Sequence, residues 1–437
     1  MDELRRRTFL GLLSLPIVAA VLQSCSSDGD GDGGSSTDVI AAPTAQARSA
    51  LSRVDATAIQ ASDATLALND FGVRLYRQLA ADDPTGNVIM SPASIATALT
   101  MAAGGAAGDT QTEMLSTLRV QNAATIHRSM NALTTQLQSL AKAADNVGVE
   151  LSIANSLWGQ TDVAFQPDFL DLLATEYGTG MDLVDFRAEP EGARAAINEW
   201  VDQQTGQRIS DLLPPGSITT ETTVALVNAI YLKAAWALPF IGGLTAPRPF
   251  TTAAGNTVDV PTMRRTAQFD YATGDGWQAV ELPYANSSLA MLIFLPEPDF
   301  LQLFEEIFLV TDATAYLQPQ QVQLAMPSFD IESKFSLADQ LAHLGMPLAF
   351  ETDDADFSGM TTEVPLFLSA VVHQANISVG EEGTEAAAAT AVVAVAGAAP
   401  SEVQPISLTI DRPFVFALRD RSTDTIVFLG RVGDPRG

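Results

Sequence analysis

From Glu381 to Val393 the chain reads Glu-Glu-Gly-Thr-Glu-Ala-Ala-Ala-Ala-Thr-Ala-Val-Val. In an extended strand, successive side chains point to opposite faces. One face would carry Thr384, Ala386, Ala388 and Thr390, the other Glu385, Ala387, Ala389 and Ala391. Neither face presents anything bulky after Glu385, so a strand of this kind can slide between two existing strands without displacing a packed core. Gly383 stands where the segment would have to bend, and glycine has the widest range of backbone angles. Two plainer readings compete: alanine runs favour helix, and an Ala/Val/Gly stretch is often a linker.

The rest of the chain supplies a frame. With 437 residues it is long enough for a large core in one big domain or two smaller ones. Leu66, Leu68, Phe71, Leu75 and Leu79 recur at helical spacing. Residues 88–90 read as a short buried strand, and Ser91 before Pro92 caps a new helix with proline at its first position. Residues 151–158 alternate like a strand. Residues 195–201 read as a helix running on toward 209, with Gly206 as its C-cap. Residues 226–236 are too continuously apolar to form an edge facing water. Asn228 interrupts them, and a buried amide needs partners. Residues 280–284 and 290–296 form a hairpin about Asn286-Ser287-Ser288. Residues 323–329 are another strand, in which Pro327 suggests an edge or a bulge, and 337–350 are helical. Residues 368–379 run as a strand straight toward Glu381 and contain His373, a lone histidine on an apolar strand that reads as structural. Residues 413–416 and 426–432 close the chain as two core strands.

Taken in order, these segments resemble the serpins, the family of suicide protease inhibitors. The run Glu381-x-Gly383-Thr384-Glu385 followed by small residues is similar to the hinge of that family's reactive-centre loop, and it falls near the C-terminus, where serpins keep it. Residues 87–95 (Asn-Val-Ile-Met-Ser-Pro-Ala-Ser-Ile) are similar to the serpin segment in which two serines lie under the main sheet, at the shutter. Ser91 and Ser94 match those serines, and the resemblance adds Asn228 and His373 to them. Trp236 matches the tryptophan at the breach, the top of that sheet. Residues 104–114 and 355–360 match family turns, and the likeness covers roughly 64 to 437.

The resemblance implies an α+β fold with three β-sheets, a large central sheet A, about eight to nine surrounding helices and an exposed loop near 380–405. The helix at 195–209 would cross the front of the sheet and yield during insertion. No catalytic residue, cofactor or metal is implied, and a monomer is expected. The implied partner is a serine protease that attacks the loop and is trapped as an acyl-enzyme when the freed segment enters sheet A. The hinge would comprise Glu381, Gly383, Thr384, Glu385, Ala386, Ala387, Ala388, Ala389 and Thr390. Counting seventeen residues from Glu381 puts the scissile bond near Gly397, with Val395, Ala396, Gly397 and Ala398 as candidates. These are small or medium and uncharged, which disfavours a trypsin-like pocket that wants Arg or Lys. They suit an elastase-like or subtilisin-like enzyme; a cysteine protease is the other target class. Serpins often pair the glutamate matching Glu381 with a lysine. Ser328 stands at that position, so the ion pair is expected to be missing and the hinge looser. The alternatives are a non-inhibitory serpin whose loop is merely cleaved, and a surface lipoprotein that uses the fold for binding.

The N-terminal region reads as an address and a tether. Arg5-Arg6-Arg7 precedes an apolar run over 9–22, interrupted by Pro16 and short of the about 20 residues a spanning helix needs. Residues 6–10 resemble a twin-arginine export signal. Leu22-Gln23-Ser24-Cys25 resembles a bacterial lipobox whose cysteine is lipidated, with Gln23 in place of the usual small residue. Cys25 is the only cysteine, so no intrachain disulfide is possible. Apart from Thr37, residues 26–38 are Ser, Asp and Gly, and cannot bury enough surface to order themselves. The expected division is a signal peptide over 1–24, a lipidated flexible tether over 25–63 with a reach on the order of 30–35 Å, and a folded domain over 64–437. An exported protein follows, lipid-anchored to a membrane, periplasmic or at the cell surface. The net charge of −29 argues against a nucleic-acid partner, whose phosphates need Lys and Arg. The histidines His127, His343 and His373 do not cluster in sequence, and no nucleophile-elbow, zinc-protease or phosphate-loop motif is present.

Overall fold

The computed structural model describes residues 45–56, 61–120, 122–142, 149–307, 313–384 and 404–437. The chain divides into two units, Met1–Ile40 and Ala41–Gly437, and all the described residues lie in the second. Eight α-helices lie among the described residues: α1 Ala61–Asp82, α2 Pro92–Ala103, α3 Gly108–Thr117, α4 Ile126–Lys142, α5 Pro167–Leu172, α6 Pro190–Gln204, α7 Leu301–Ile307 and α8 Ala338–Leu344.

The strands, in chain order, are β1 Ala45–Ala47, β2 Val88–Met90, β3 Val149–Gln160, β4 Met181–Val184, β5 Val224–Ala235, β6 Ala246–Thr251, β7 Thr257–Gly274, β8 Trp277–Pro283, β9 Leu289–Pro296, β10 Gln318–Pro327, β11 Phe329–Ser336, β12 Leu368–Val379, β13 Gly383–Thr384, β14 Ile406–Thr409, β15 Phe414–Asp420 and β16 Thr425–Val432. The large sheet has the order β1-β4-β3-β5-β13-β12-β11, with β5 and β12 also paired directly. The second sheet runs β14-β10-β7-β8-β9-β15-β16-β2, with β6 added on β7. Where three sheets were expected, the two smaller ones are continuous. The 18-residue β7 pairs with β6 at its start, β10 along its middle and β8 at its end, so one strand belongs to both.

Every residue of α2 is buried, the mark of a helix with protein on all sides. It packs on β3 and β5 of the large sheet and on β16 of the second. Alternation within β5 sends Leu226 and Ile230 to this inner core, whereas Ala225, Val227 and Ala229 face a second cluster under α6. The large sheet is thus covered on both faces, which explains why β5 reads as an unbroken apolar run.

Ser91 accepts from the Ser94 backbone N–H as N-cap of α2, and Pro92 opens the helix as expected. Gly206 follows α6 with φ +60, while the Gln207 N–H reaches Asp202 O at 2.8 Å, closing the helix with a left-handed glycine turn. The hairpin of β8 and β9 about Asn286 is present.

Four further expectations change. Leu66 is 69 % exposed, whereas Leu68, Phe71, Leu75 and Leu79 are buried with Ala64; Ala64 holds the core-facing position and Leu66 is off the stripe. The helix expected over 337–350 breaks at Gly345 (φ +124), giving α8 and then a 3-10 turn over Pro347–Phe350. The strand expected over 323–329 is two strands, for β10 ends at Pro327 and β11 begins at Phe329 in the other sheet. Ser328 makes the crossing, its N–H on Pro261 O at 3.0 Å.

The fourth concerns the tether expected over 25–63, part of which belongs to the fold. β1 is the edge strand of the large sheet, antiparallel on β4. Arg53 spreads its guanidinium over α4, donating to Asn131 Oδ1 (2.9 Å), Thr134 Oγ1 (2.6 Å) and Gln138 Oε1 (3.1 Å). The Val54 N–H bonds Thr175 O at 2.8 Å, inside the π-helical turn Leu173–Tyr177. A π-helical turn displaces carbonyls from the regular pattern, and here one of them receives the strap.

Candidate functional site

The site is the line along which β5 and β12 meet. They pair in parallel from Val224 with Leu368 to Tyr231 with Asn376, then separate. Into the fork steps the chain after β12. It turns at Glu381-Glu382, with Gly380 N–H on Gly383 O at 2.8 Å, and returns as β13. β13 is antiparallel to both neighbours, Thr384 opposite Val379 on one side and Ala234 on the other, with Gly383 opposite Ala235. The bend thus falls one residue before Gly383. The glycine answers a different need: its φ is +156, and a Cβ there would lie 2.1 Å from Ala234 O, so only glycine fits against β5.

Side chains fasten this turn. Trp236 stacks on Tyr284 at 4.5 Å between centroids. Its Nε1–H donates to Gly380 O at 3.0 Å, and its backbone N–H to Glu382 O at 2.8 Å. The Tyr284 hydroxyl meets Thr384 Oγ1 at 2.6 Å, and Thr384 is fully buried. Burial of Tyr284 pushes its phenol above the ordinary range, so it stays neutral and able to donate. Ser328 stands where the resemblance would put a lysine, and among the described residues the Glu381 carboxylate is engaged by a hydroxyl. Thr245 Oγ1 donates to Glu381 Oε1 at 2.8 Å, and the Phe240 N–H to Glu381 O at 2.8 Å. The expectation of a looser hinge therefore gives way to a neutral hydroxyl contact where a charge pair was missing.

Further along the seam lies a polar row. Asn155, Asn228 and His373 are direct register partners across β3, β5 and β12. His373 Nδ1–H donates to Asn228 Oδ1, and His373 Nε2 accepts from the Ser91 N–H at 3.1 Å. Asn228 Nδ2 donates to Ser94 Oγ at 2.5 Å and to Asn155 Oδ1, and Ser94 Oγ donates to Asn155 Oδ1 at 2.9 Å. Ser91, Ser94, Asn228 and His373 are all buried. Burial holds the His373 imidazole down to about 3, so it is neutral with its proton on Nδ1. The four residues singled out from the sequence come together here. Asn155 joins them unannounced, although a second asparagine in the middle of a strand was the available signal. Thr245 and Tyr284 carried no such signal.

Over the outer face lies α6. Trp158 and Trp200 meet edge-on at 5.9 Å, and Ala196, Ile197 and Val201 cover Ala225, Val227, Ala229 and Val372. β5 and β12 thus turn small residues toward the helix, while β3 adds Trp158. Of the predicted site, Cys25, Glu385, Ala386, Ala387, Ala388, Ala389, Thr390, Val395, Ala396, Gly397 and Ala398 lie outside the described residues.

The sequence model of the family described as serpin (serine protease inhibitor) matches residues 66–435. A leukocyte elastase inhibitor of Xenopus tropicalis is 34% identical over 379 residues, 84% of this chain and 98% of that protein. An uncharacterized serpin-like protein of Thermococcus kodakarensis is 36% identical, covering 85% of each chain. Among solved structures, Serpin48 of the insect Tenebrio molitor superposes with a TM-score of 0.75 at 29% identity, covering 85% of this chain and 98% of that one. Human thyroxine-binding globulin in complex with thyroxine gives 0.77 at 28%, covering 86% and 100%.

Proposed function

The chain belongs to the serpin family, and from that premise we propose that it is a suicide inhibitor of serine proteases which traps its target as an acyl-enzyme by inserting the cleaved loop between β5 and β12. One observation carries the reading: an antiparallel two-residue strand already stands in the fork of a parallel seam. Parallel pairing is slightly less stable per residue than antiparallel pairing. A strand continuing from Thr384 replaces one parallel ladder by two antiparallel ones, each new backbone bond contributing about 0.5–1.5 kcal/mol net. The small residues from Ala386 to Ala391 meet the steric demand of that path. Some 15 residues at about 3.3 Å each would carry the attached protease on the order of 50 Å.

The scissile bond is assigned to the span Val395, Ala396, Gly397, Ala398, and the target to the elastase-like or subtilisin-like class, with a cysteine protease as the second class. Kinship with proteins called leukocyte elastase inhibitors supports the first. The reading includes export and a lipid on Cys25, which C25S abolishes in a palmitate-labelling experiment if it is right.

The test mixes the chain with elastase and, separately, with subtilisin, and resolves the products on denaturing gels. A band at the summed mass supports the reading. Loop cleavage without that band at every ratio, for several proteases, sinks it in favour of a non-inhibitory serpin.

A further inference from the structure

α6 and the segment that returns from it, residues 205–213, form one piece. Asn198 clasps Leu213 from both sides, donating to its carbonyl at 3.0 Å and accepting from its N–H at 2.7 Å. Arg194 donates to the same carbonyl at 2.9 Å. Thr205 Oγ1 caps Val201 O at 2.8 Å and receives the Ile209 N–H at 3.2 Å. Ile209, Leu212 and Leu213 are buried in the cluster beneath.

This piece reaches the sheet through two polar contacts. The Arg208 guanidinium lies 5.4 Å over the ring of Tyr231, on β5. Lys334, on β11, donates from Nζ to Asp211 O at 2.6 Å. Between those strands runs β12, where Gln374 pairs with Lys334, and Asn376 pairs with both Glu332 and Tyr231. Tyr231–Asn376 is the last rung before the fork. The two contacts therefore straddle the point at which the seam opens.

Neighbouring strands stand about 4.8 Å apart. A strand entering between β5 and β12 moves Tyr231 and Lys334 apart by about that spacing. Arg208 and Asp211 are three residues apart in a segment held by the Asn198 clasp, so both contacts cannot survive the change. We infer that Arg208 and Lys334 are positioning residues that pin the α6 piece across the fork and set the rate at which the seam opens. The inference rests on the insertion reading above and goes beyond it by naming what resists insertion. Both side chains are solvent-exposed, so replacing them leaves the core intact.

The experiment follows tryptophan emission by stopped flow after full-length chain is mixed with elastase, for wild type, Arg208→Gln, Lys334→Met and the double variant. Arg187→Gln is the control: it removes an exposed ion pair to Asp162 away from the fork. The phase after cleavage should quicken about two- to fivefold for Arg208→Gln, the scale of an exposed cation–π contact. It should quicken about as much for Lys334→Met and about tenfold for the double variant. Native melting midpoints and the control rate should stay close to wild type. If cleaved wild type melts above the native form but the variants insert at its rate, or the control quickens equally, the pins are disproved while insertion stands. If cleaved wild type melts no higher than native, no insertion occurs, and the inference falls with the reading it rests on.

Discussion

Asn228 and His373 face each other across the seam, side chain bonded to side chain, one rung beyond the apolar pair Val227–Val372. Any separation of these strands must break that bond. Asn228→Ala leaves the buried His373 Nδ1–H without its acceptor, at about 1–3 kcal/mol for a buried group left unsatisfied, while the Ser94 hydroxyl keeps its bond to Asn155 Oδ1. The urea midpoint should fall accordingly, and an unchanged midpoint would show that water replaces the amide.

The same histidine gives the fold a pH dependence. Buried, it titrates near 3 instead of 6.5, so the unfolded chain binds its proton first. The stability this neutral ring contributes is complete above pH 6.5 and is lost as the pH falls toward 3. His127, held down to about 4 chiefly by burial, acts in the same direction. His373 alone should remove about 2 kcal/mol between pH 6.5 and 4.5. Denaturant titrations over that range should show a shallower decline for His373→Gln than for wild type.

Gly383→Val places carbon where Ala234 O already stands. The body of the protein should fold, but β13 should leave the fork. Trp236 then loses its bond to Gly380 O, its emission should shift, and proteolysis at 380–384 should accelerate. Native emission together with native protease resistance would mean that β5 yields.

The partner of Glu381 can be weighed in two double-mutant cycles. Thr245→Val with Glu381→Gln should show coupling of about 0.5–1.5 kcal/mol. Ser328→Ala with Glu381→Gln should show almost none, because the nearest bond of the Ser328 hydroxyl is to Pro261 O. Strong coupling at Ser328 would overturn the assignment of Thr245.

The strap over 45–56 predicts its own phenotype. Arg53→Met removes several bonds to α4 at a half-buried site and should cost about 1–2 kcal/mol. Deleting residues 45–56 also strips β1 from β4 and leaves Thr175 O without the Val54 N–H, so its midpoint should fall further. Equal midpoints for deletion and point variant would confine the role of the strap to Arg53.

Much of this was readable beforehand, and the pattern of what was not has a physical basis. Ser91 reads as a helix cap and Asn228 as a buried amide that needs partners, but it is the resemblance to the serpins that groups them with Ser94 and His373. Asn155 needed the register between β3 and β5 to be known, which depends on pairing 73 residues apart. Thr245 lies beside a 3-10 turn whose contact with Glu381 arises from tertiary packing alone. The Ala-Gln-Ala of β1 is too short and too weakly patterned to announce an edge strand, and only the bonds to β4 make it one. Leu66 shows the converse: a leucine counted by type when its angle about the helix axis sends it to water.

The two rungs at Gly383 and Thr384 bear on kinetics as well as on geometry. Starting a ladder is its slow part, because chain ends must find each other before any bond repays the lost freedom. Here that nucleus exists in the uncut molecule, held by Trp236 and Tyr284. Under the proposed insertion, what would remain is zippering, each further residue landing beside a rung already made. The search would be over before a protease arrives, leaving speed to whatever holds the two rails of the seam together.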